Sequence, residues 1–396
     1  DELASVLAHE LSHVTQRHIA RMISQQGRQG PMVMGAMILG MLAASRSVNS
    51  SSISAGNALM VGGQAAAMQS QLNFSRDMER EADRVGYGVM TEAGYEPQGF
   101  VTMFEKLQQA ARLNDNGSFP YLRSHPLSSE RMADMQARQQ LQAPRGANLE
   151  QDLVQAMMSA RSRVFAQPGV DALRAWAQEA SDASVGKQTA AKQMGILYGA
   201  CLSWMQLRDM KKARVLLPRL QMAAATHAPS MRLIQLLEAE LAFKEDDMQG
   251  VLTALRHVSA QANSSWQRPE LIYLAQASAR LQVSSPNSET SQTLALTISA
   301  LQRWVLQNPH DGQAWQVLAT ALSAQGRPLA SLRAEGETQL ARMDFGAAVD
   351  RFRAAQDASR RMNTSMTDHI EASIVDARLR FAQGLLREQM LERQER

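Results

Sequence analysis

Two histidines and a glutamate near the start of the chain have the types and spacing of a zinc-hydrolase motif. The stretch 6-VLAHELSHVTQRHIARM-22 contains His9, Glu10 and His13. Because each residue of an α-helix turns by about 100°, the two histidines lie one above the other on one helix face. In that position two imidazoles can bind one tetrahedral zinc ion. Glu10 lies beside them, where it can accept a proton from a zinc-activated water without being a ligand.

A catalytic zinc site needs three protein ligands, so the motif requires a further ligand elsewhere in the chain. The acidic segment NFSRDMEREADRVGYGVM, residues 73–90, offers candidates. Glu79 and Asp83 are four residues apart and share a helix face, whereas Glu81 points elsewhere. Glu79 can bind the ion, and Asp83 can accept the free N–H of a ligating histidine. A solvated acidic face, paired with the neighbouring arginines, is the alternative.

His18 lies close to the motif in the sequence but is not expected to take part in it. Residues 1–27 are predicted to form one helix, with acidic residues at its start, arginines toward its end and Gly27 after it. On one continuous helix, His18 would lie on about the opposite face from His9. Four further histidines have no acidic or histidine neighbour at ligand spacing and are expected to be structural: His227, His257, His310 and His369.

The histidine motif and the acidic motif together resemble those of peptidase family M48, a family of membrane-associated zinc metalloproteases. The family pattern is His-Glu-x-x-His on one helix and Glu-x-x-Ala-Asp on a second, which 79-EREAD-83 matches. The stretch 124-SHPLSSERM-132 matches a further family element, a His-Pro turn followed by an arginine. The resemblance implies one Zn²⁺ per chain, with Glu79 as third ligand and Asp83 as the partner of a ligating histidine. It covers residues 1–140.

His125 precedes a proline at the start of a predicted helix, so its ring can project from a loop into the cleft. Three roles are open for it. As a fourth zinc ligand, it would displace the catalytic water and keep the enzyme latent. As a hydrogen-bond donor, it would stabilise the tetrahedral oxyanion, with Arg131 nearby in support. As a structural residue, it would only anchor the loop.

The composition favours an all-α protein. Apolar residues make up 45% of the chain and aromatic residues only 5%, and β-branched runs are few. Lys and Arg number 41 against 38 for Asp and Glu, which gives little reason to expect a nucleic-acid surface. The single cysteine, Cys201, excludes a disulfide framework and a cysteine-rich metal site.

A Pro/Gly/Asn break at 142-QAPRGANLE-150 marks the predicted domain boundary. Residues 1–142 are expected to form a zincin-type helical metalloprotease domain, completed by residues upstream of Asp1. Residues 143–396 are expected to form an α-solenoid of tetratricopeptide-like helical hairpins.

Regular spacing of prolines supports the repeat prediction. Pro229, Pro269 and Pro309 are 40 residues apart, and an apolar helical run follows each. The stretch 307-QNPHDGQAWQVLATAL-322 resembles the opening of a tetratricopeptide repeat. A second internal similarity relates 209-DMKKA-213 to 247-DMQGV-251, each predicted to begin the second helix of a pair. An irregular helical bundle is the alternative.

The insert between the two ligand helices, residues 28–72, is rich in Met, Gly, Ser and Ala. Its methionines could contact a membrane surface or bind unfolded apolar substrate. A pair of buried helices beside the active site is the alternative. The longest apolar run, 32–44, is too short to span a bilayer.

An M48 domain followed by helical repeats resembles proteases of the bacterial cell envelope. The resemblance implies a periplasmic zinc endopeptidase acting in quality control and assembly of outer-membrane proteins. Unfolded or stalled outer-membrane proteins would be its substrates, and the repeat domain would bind the outer-membrane assembly machinery. The alternative function is a chaperone-like repeat scaffold whose protease domain is mostly latent.

Overall fold

The computed structural model confirms the all-α prediction: the residues it describes contain helices and turns and no strand. The described residues are 1–25, 27, 34–35, 38, 50–113, 125, 129–140, 149–260, 266–361 and 366–394. Among them, no helix is both long enough and apolar enough to cross a membrane. The chain divides into two compact units, Asp1–Ala147 and Asn148–Arg396.

Four helices of the first unit position the candidate site. They are α1 (Glu2–Thr15), α2 (Ser50–Glu92), α3 (Gln98–Leu113) and α4 (Ser129–Gln140). Helix α1 packs against both α2 and α3, and α4 packs against α3. The shared core is formed by large side chains of α2, α3 and α4 together with one alanine of α1. Its buried residues are Ala8, Tyr87, Met90, Phe100, Val101, Met103, Phe104 and Met135.

Helix α2 carries a glycine, Gly86, where it contacts the backbone of α1. A Cβ atom on Gly86 would lie 3.0 Å from the backbone of Ala8 and 3.0 Å from the backbone nitrogen of His9. Only a residue without a side chain permits this separation. The backbone of the histidine motif is therefore in direct contact with the helix that carries the acidic motif.

The prediction of one continuous helix over residues 1–27 is wrong. Helix α1 ends at Thr15, and Arg17 adopts the left-handed conformation with φ of 55°. Residues 18–25 are helical again, in a new direction. The sequence conceals this break because glycine usually occupies a left-handed position at a helix end, whereas here the residue is an arginine.

The second unit consists, in its described residues, of one 3₁₀ turn and a succession of α-helices. The turn is Val185–Lys187, and the helices are α5 (Leu149–Phe165), α6 (Val170–Glu179), α7 (Ala190–Gln206), α8 (Met210–Ala223), α9 (Ala228–Lys244), α10 (Met248–Ala260), α11 (Arg268–Ser284), α12 (Ser288–Gln307), α13 (Gly312–Ala324), α14 (Pro328–Ala341), α15 (Phe345–Arg361) and α16 (Met366–Gln394). From α6 onward, consecutive helices pack against each other; α5 packs on α7, and α11 also packs on α13.

Short turns with a common design connect several of these helices. A residue with positive φ is followed by an aspartate whose carboxylate accepts a hydrogen bond from the backbone N–H three residues later. These pairs are Arg208–Asp209, Asp246–Asp247 and Met343–Asp344. The similarity between 209-DMKKA-213 and 247-DMQGV-251 therefore corresponds to a repeated turn into the second helix of a hairpin.

Two sequence-based interpretations fall on parts of the chain outside the described residues. Within the insert 28–72, residues 28–33, 36–37 and 39–49 are not described, so its predicted contact with membrane or substrate lies outside the described residues. The predicted boundary at 142–150 likewise falls mostly on undescribed residues, 141–148.

Candidate metal centre

Four predicted metal ligands lie together in the first unit. Helix α1 carries His9 and His13, α2 carries Glu79, and His125 lies between α3 and α4. One donor atom from each of the four residues lies within 4.8 Å of the donor atoms of the other three. Residues more than a hundred positions apart in the sequence thus present nitrogen and oxygen atoms to one small volume.

The separations between these donors are those of a tetrahedral zinc site. His9 Nε2 lies 3.1 Å from His13 Nε2 and 3.3 Å from His125 Nδ1. The Glu79 carboxylate lies 3.5 Å from His9 Nε2, 3.4 Å from His13 Nε2 and 3.2 Å from His125 Nδ1. A tetrahedral ion about 2.0–2.1 Å from each donor would separate the donors by about 3.3 Å. The donor set fits zinc in both chemistry and size.

Hydrogen bonding alone does not account for this cluster. His9 Nε2 lies within 3.5 Å of three acceptor-capable atoms, from His13, His125 and Glu79. An imidazole nitrogen carries at most one hydrogen, so it can satisfy only one of them. A cation shared among the four residues would accept one lone pair from each of them. This is the observation that favours a metal over a hydrogen-bonded network.

The other nitrogen of His9 is supported by a buried carboxylate. His9 Nδ1 lies 2.9 Å from Asp83 Oδ1. Arg131 binds the same carboxylate in bidentate fashion, with Nε 2.6 Å from Oδ2 and Nη2 2.8 Å from Oδ1. Its third nitrogen, Nη1, lies 3.0 Å from Glu79. The guanidinium also packs over the Phe104 ring, 5.1 Å from its centroid. A buried cation thus holds both carboxylates of α2 in place.

His13 is supported differently. Its Nδ1 lies 2.8 Å from Nδ1 of His18, and Nε2 of His18 lies 3.3 Å from Glu81 Oε2. Arg21 Nη1 in turn lies 2.7 Å from the same Glu81 oxygen. The prediction that His18 faces away from the site is wrong, because the break at Arg17 returns the chain against His13. His18 is nevertheless not one of the four residues that could hold an ion.

Glu10 lies at the edge of the cluster and contributes no donor to it. Its Oε1 is 3.4 Å from His125 Nε2, on the side of the His125 ring opposite the donor set. His125 therefore presents Nδ1 to the other three donors and Nε2 to Glu10. The side chain of Glu10 is 42% exposed, whereas that of His9 is 1% exposed. A water molecule can reach Glu10 from solvent.

The charges of the cluster are set by its carboxylates. Burial lowers the pKa of His9, but hydrogen bonds with Asp83 and Glu79 outweigh this effect and raise that pKa to about 9. Burial raises the pKa of Glu79, but His125, His9 and the charge of Arg131 hold it well below its usual range. For Asp83, Arg131 and His9 likewise outweigh burial and lower the pKa.

His13 differs from His9 in its protonation. Burial, together with the positive charge of His9, lowers the pKa of His13 to about 4. Without a metal, the cluster near neutral pH therefore has one cationic and one neutral imidazole on α1. A metal ion binds only neutral imidazole, so its binding would release the proton of His9.

Two contributors to this centre, His18 and Glu81, were not predicted from the sequence; His18 contacts both His13 and Glu81. Arg131 was predicted in another role, as support for His125, and instead contacts the two carboxylates of α2. The sequence signal for Arg131 was present in 124-SHPLSSERM-132, but its partners were not identifiable. The signal for His18 and Glu81 was hidden by the interrupted helix.

Comparisons with known proteins agree with this geometry. Residues 1–139 match peptidase family M48. Over 355 residues the chain is 30% identical to the beta-barrel assembly-enhancing protease of Escherichia coli strain K12, an alignment that covers 87% of this chain and 65% of that protein. Over 341 residues it is 29% identical to the beta-barrel assembly-enhancing protease of Yersinia pestis, with coverages of 85% and 64%.

A further similarity covers about a third of the chain. Over 138 residues the chain is 28% identical to the mitochondrial metalloendopeptidase OMA1 of Saccharomyces cerevisiae, covering 34% of this chain and 35% of that protein. The chain spans slightly less than two thirds of the length of the two bacterial relatives.

Proposed function

We propose that the chain is a zinc-dependent endopeptidase, a proposal supported by the match of residues 1–139 to peptidase family M48. The observation that carries the proposal is the set of four donors within 4.8 Å of one another, with Glu10 beside them. His9, His13 and Glu79 would hold the ion. We assign the peptidase domain to residues 1–142 and the helical repeat domain to residues 143–396.

Zinc, when bound, would lower the pKa of a water molecule and polarise the peptide carbonyl that the water attacks. Glu10 then accepts the proton of the attacking water and can deliver it to the leaving amine nitrogen. Asp83 and Arg131 keep the His9 ring and the Glu79 carboxylate in position. No other carboxylate in the described part of the cluster combines proximity to the donor set with exposure to solvent.

His125 supports a second element of the proposal, a latent resting state. Its Nδ1 lies 3.3 Å from His9 Nε2, and its Nε2 lies 3.4 Å from Glu10 Oε1. One side chain would then displace the attacking water and block the general base. The enzyme would become active when substrate or a partner moves the segment around His125. The oxyanion-donor role remains the competing proposal for the same residue.

The name of the two similar bacterial proteins, which describes β-barrel assembly, supports a proposal about substrates and location. We propose that the chain acts in the periplasm on unfolded or stalled outer-membrane proteins. The repeat domain would bind the outer-membrane assembly machinery. A chaperone-like scaffold with a mostly latent protease domain is the second candidate, and the two contacts of His125 favour it.

Zinc content and degradation of an unfolded outer-membrane protein test the proposal together. The wild-type chain should contain one zinc, and Glu10→Gln should keep that zinc while losing cleavage. His125→Ala separates latency from oxyanion stabilisation, because cleavage should rise in the first case and fall in the second. A wild-type chain that binds no zinc would end the proposal. If Glu10→Gln cleaved at the wild-type rate, Glu10 would not be the general base.

A further inference from the structure

The two nitrogens of the His13 ring face different surroundings. Nε2 points toward the proposed metal donors, 3.1 Å from His9 Nε2 and 3.4 Å from Glu79 Oε1. Nδ1 points away from them, 2.8 Å from Nδ1 of His18. Which nitrogen carries the hydrogen therefore decides whether His13 can donate a lone pair to an ion.

The side chains of His13, His18 and Glu81 form a series, and the direction of its hydrogen bonds follows from its last member, Glu81. Glu81 as a carboxylate is an acceptor only, and Arg21 Nη1 donates to its Oε2 at 2.7 Å. A neutral His18 must therefore carry its hydrogen on Nε2, the atom 3.3 Å from Glu81. Nδ1 of His18 is then a lone pair that accepts from Nδ1–H of His13. The remaining nitrogen of His13, Nε2, presents its lone pair to the donor set.

We propose that His18 and Glu81 are positioning residues that hold His13 in the tautomer able to bind the metal. This inference rests on the metal site of the proposed function. The two residues touch neither the metal nor the substrate; they act through His13. Arg21 holds the Glu81 carboxylate in place through a hydrogen bond to its Oε2.

The burial of His18 supports a polar role over simple packing. Its side chain is 3% exposed, and both of its nitrogens lie near polar atoms of other residues. An aliphatic or phenyl side chain would fill such a place at less desolvation cost. The ring of His18 contacts both His13 and Glu81, with Nδ1 2.8 Å from His13 Nδ1 and Nε2 3.3 Å from Glu81 Oε2.

Zinc affinity of the full chain gives the primary test. His18→Phe keeps a ring but removes both nitrogens, and Glu81→Met keeps length but removes the acceptor. Each should weaken zinc binding by about 10- to 100-fold, as loss of an outer partner of a metal ligand does. His18→Asn should lose less than His18→Phe, because its amide oxygen can accept from His13. Glu130→Met is the matched control, since it removes an Arg-paired glutamate elsewhere in the unit and should leave affinity unchanged.

A second measurement reports the tautomer directly. Nitrogen NMR of the metal-free, histidine-labelled chain should show the His13 hydrogen on Nδ1 in wild type. In His18→Phe that hydrogen should be distributed over both ring nitrogens. The melting temperature of the metal-free variants distinguishes positioning from packing, because positioning predicts a loss of zinc affinity larger than any loss of metal-free stability.

The possible results separate this inference from the proposed function. If the wild-type chain binds no zinc, the metal site is wrong, and the NMR result alone decides the tautomer. A His13 hydrogen on Nε2 in wild type would overturn the inference. So would unchanged zinc affinity in both His18→Phe and Glu81→Met. Equal losses in His18→Asn and His18→Phe, with a matching fall in metal-free melting temperature, would reduce His18 to a packing residue.

Discussion

Buried charged residues are arranged differently in the two units of the molecule. In the second unit, Asn148–Arg396, called the repeat unit below, each buried acid pairs with an arginine from a neighbouring helix. Examples are Glu270 with Arg232 at 2.6 Å, Glu337 with Arg378 at 2.6 Å and Glu240 with Arg161 at 2.9 Å. In the first unit, four buried ionisable groups and the half-buried His125 converge on one volume and share partners. The four are His9, Glu79, Asp83 and Arg131.

The difference distinguishes charges that support a fold from charges that prepare a site. In a one-to-one pair, each charge lies beside one opposite charge, so no further ion is needed to balance the two. In the convergent cluster, three imidazoles and a carboxylate meet with fewer hydrogens than lone pairs, which leaves a position that suits a cation. Removing a member should therefore affect stability in the repeat unit and metal binding in the first unit.

The largest effect is expected from Glu79→Ala. It removes the anionic donor and leaves the charge of Arg131 beside the site, where it repels a cation. The zinc content of dialysed protein should fall from one per chain to none. Glu337→Ala, which removes an equally buried acid from the repeat unit, is the control and should keep its zinc. If both variants retained zinc, the contrast between shared and paired charges would fail.

The paired arrangement is tested by Glu270→Ala. Glu270 is fully buried, so its removal leaves Arg232 without its partner. Breaking such a pair costs about 3 kcal/mol, the lower end of the usual range, because Arg232 is 31% exposed. Urea unfolding should show this loss with zinc content unchanged. Arg351→Ala breaks a more exposed pair with Glu335 and should cost no more than about 1 kcal/mol.

The contact between α1 and α2 is tested at two glycines of the same helix. Gly86→Ala places a methyl group 3.0 Å from the backbone of Ala8 and His9, so the helices must separate. We expect a loss of about 1–3 kcal/mol in the free energy of unfolding, with weaker zinc binding. Gly88→Ala meets no atom within 4 Å and should stabilise the helix by up to about 1 kcal/mol. Equal effects at both positions would contradict the close contact.

The smallest effect is a pH dependence in the repeat unit. Arg268, Trp304 and the N–H of Ala314 all bind the Asp311 carboxylate. The hydrogen bond with Arg268 is the main reason that the pKa of Asp311 falls to about 2, from about 3.9 in an unfolded chain. The stabilisation is therefore complete above about pH 4 and is lost as the pH falls toward 2. The difference in unfolding free energy between wild type and Asp311→Asn should shrink over that range; a constant difference would contradict it.

Local signals in the sequence were sufficient for part of this structure. The helices after Pro229, Pro269 and Pro309 begin near those prolines, because proline is favoured at the first turn and disfavoured inside a helix. The spacing of His9 and His13 placed both on one face because the helix is continuous from one to the other. The four donors named from the sequence are those that lie together, and their binding of zinc remains a prediction.

Other parts could not be predicted because they depend on backbone geometry or long-range packing. The left-handed conformation of Arg17 has no glycine to indicate it, so the contact between His13 and His18 was missed. The bidentate contact of Arg131 with Asp83 joins residues 48 positions apart, and no periodicity links them. In the repeat unit, the arginine partners of the buried acids were equally unpredictable, since they depend on which helices become neighbours.

The break at Arg17 also affects the order in which the site can assemble during folding. His13 and His18 are separated by five residues, whereas the contacts from His18 to Glu81 and from Glu79 to His125 span 63 and 46 residues. Closing a short loop costs less chain entropy and is faster than closing a long one. The His13–His18 contact can therefore form while the rest of the chain is still unfolded. Arrival of α2 would then complete a centre in which one ligand ring is already oriented.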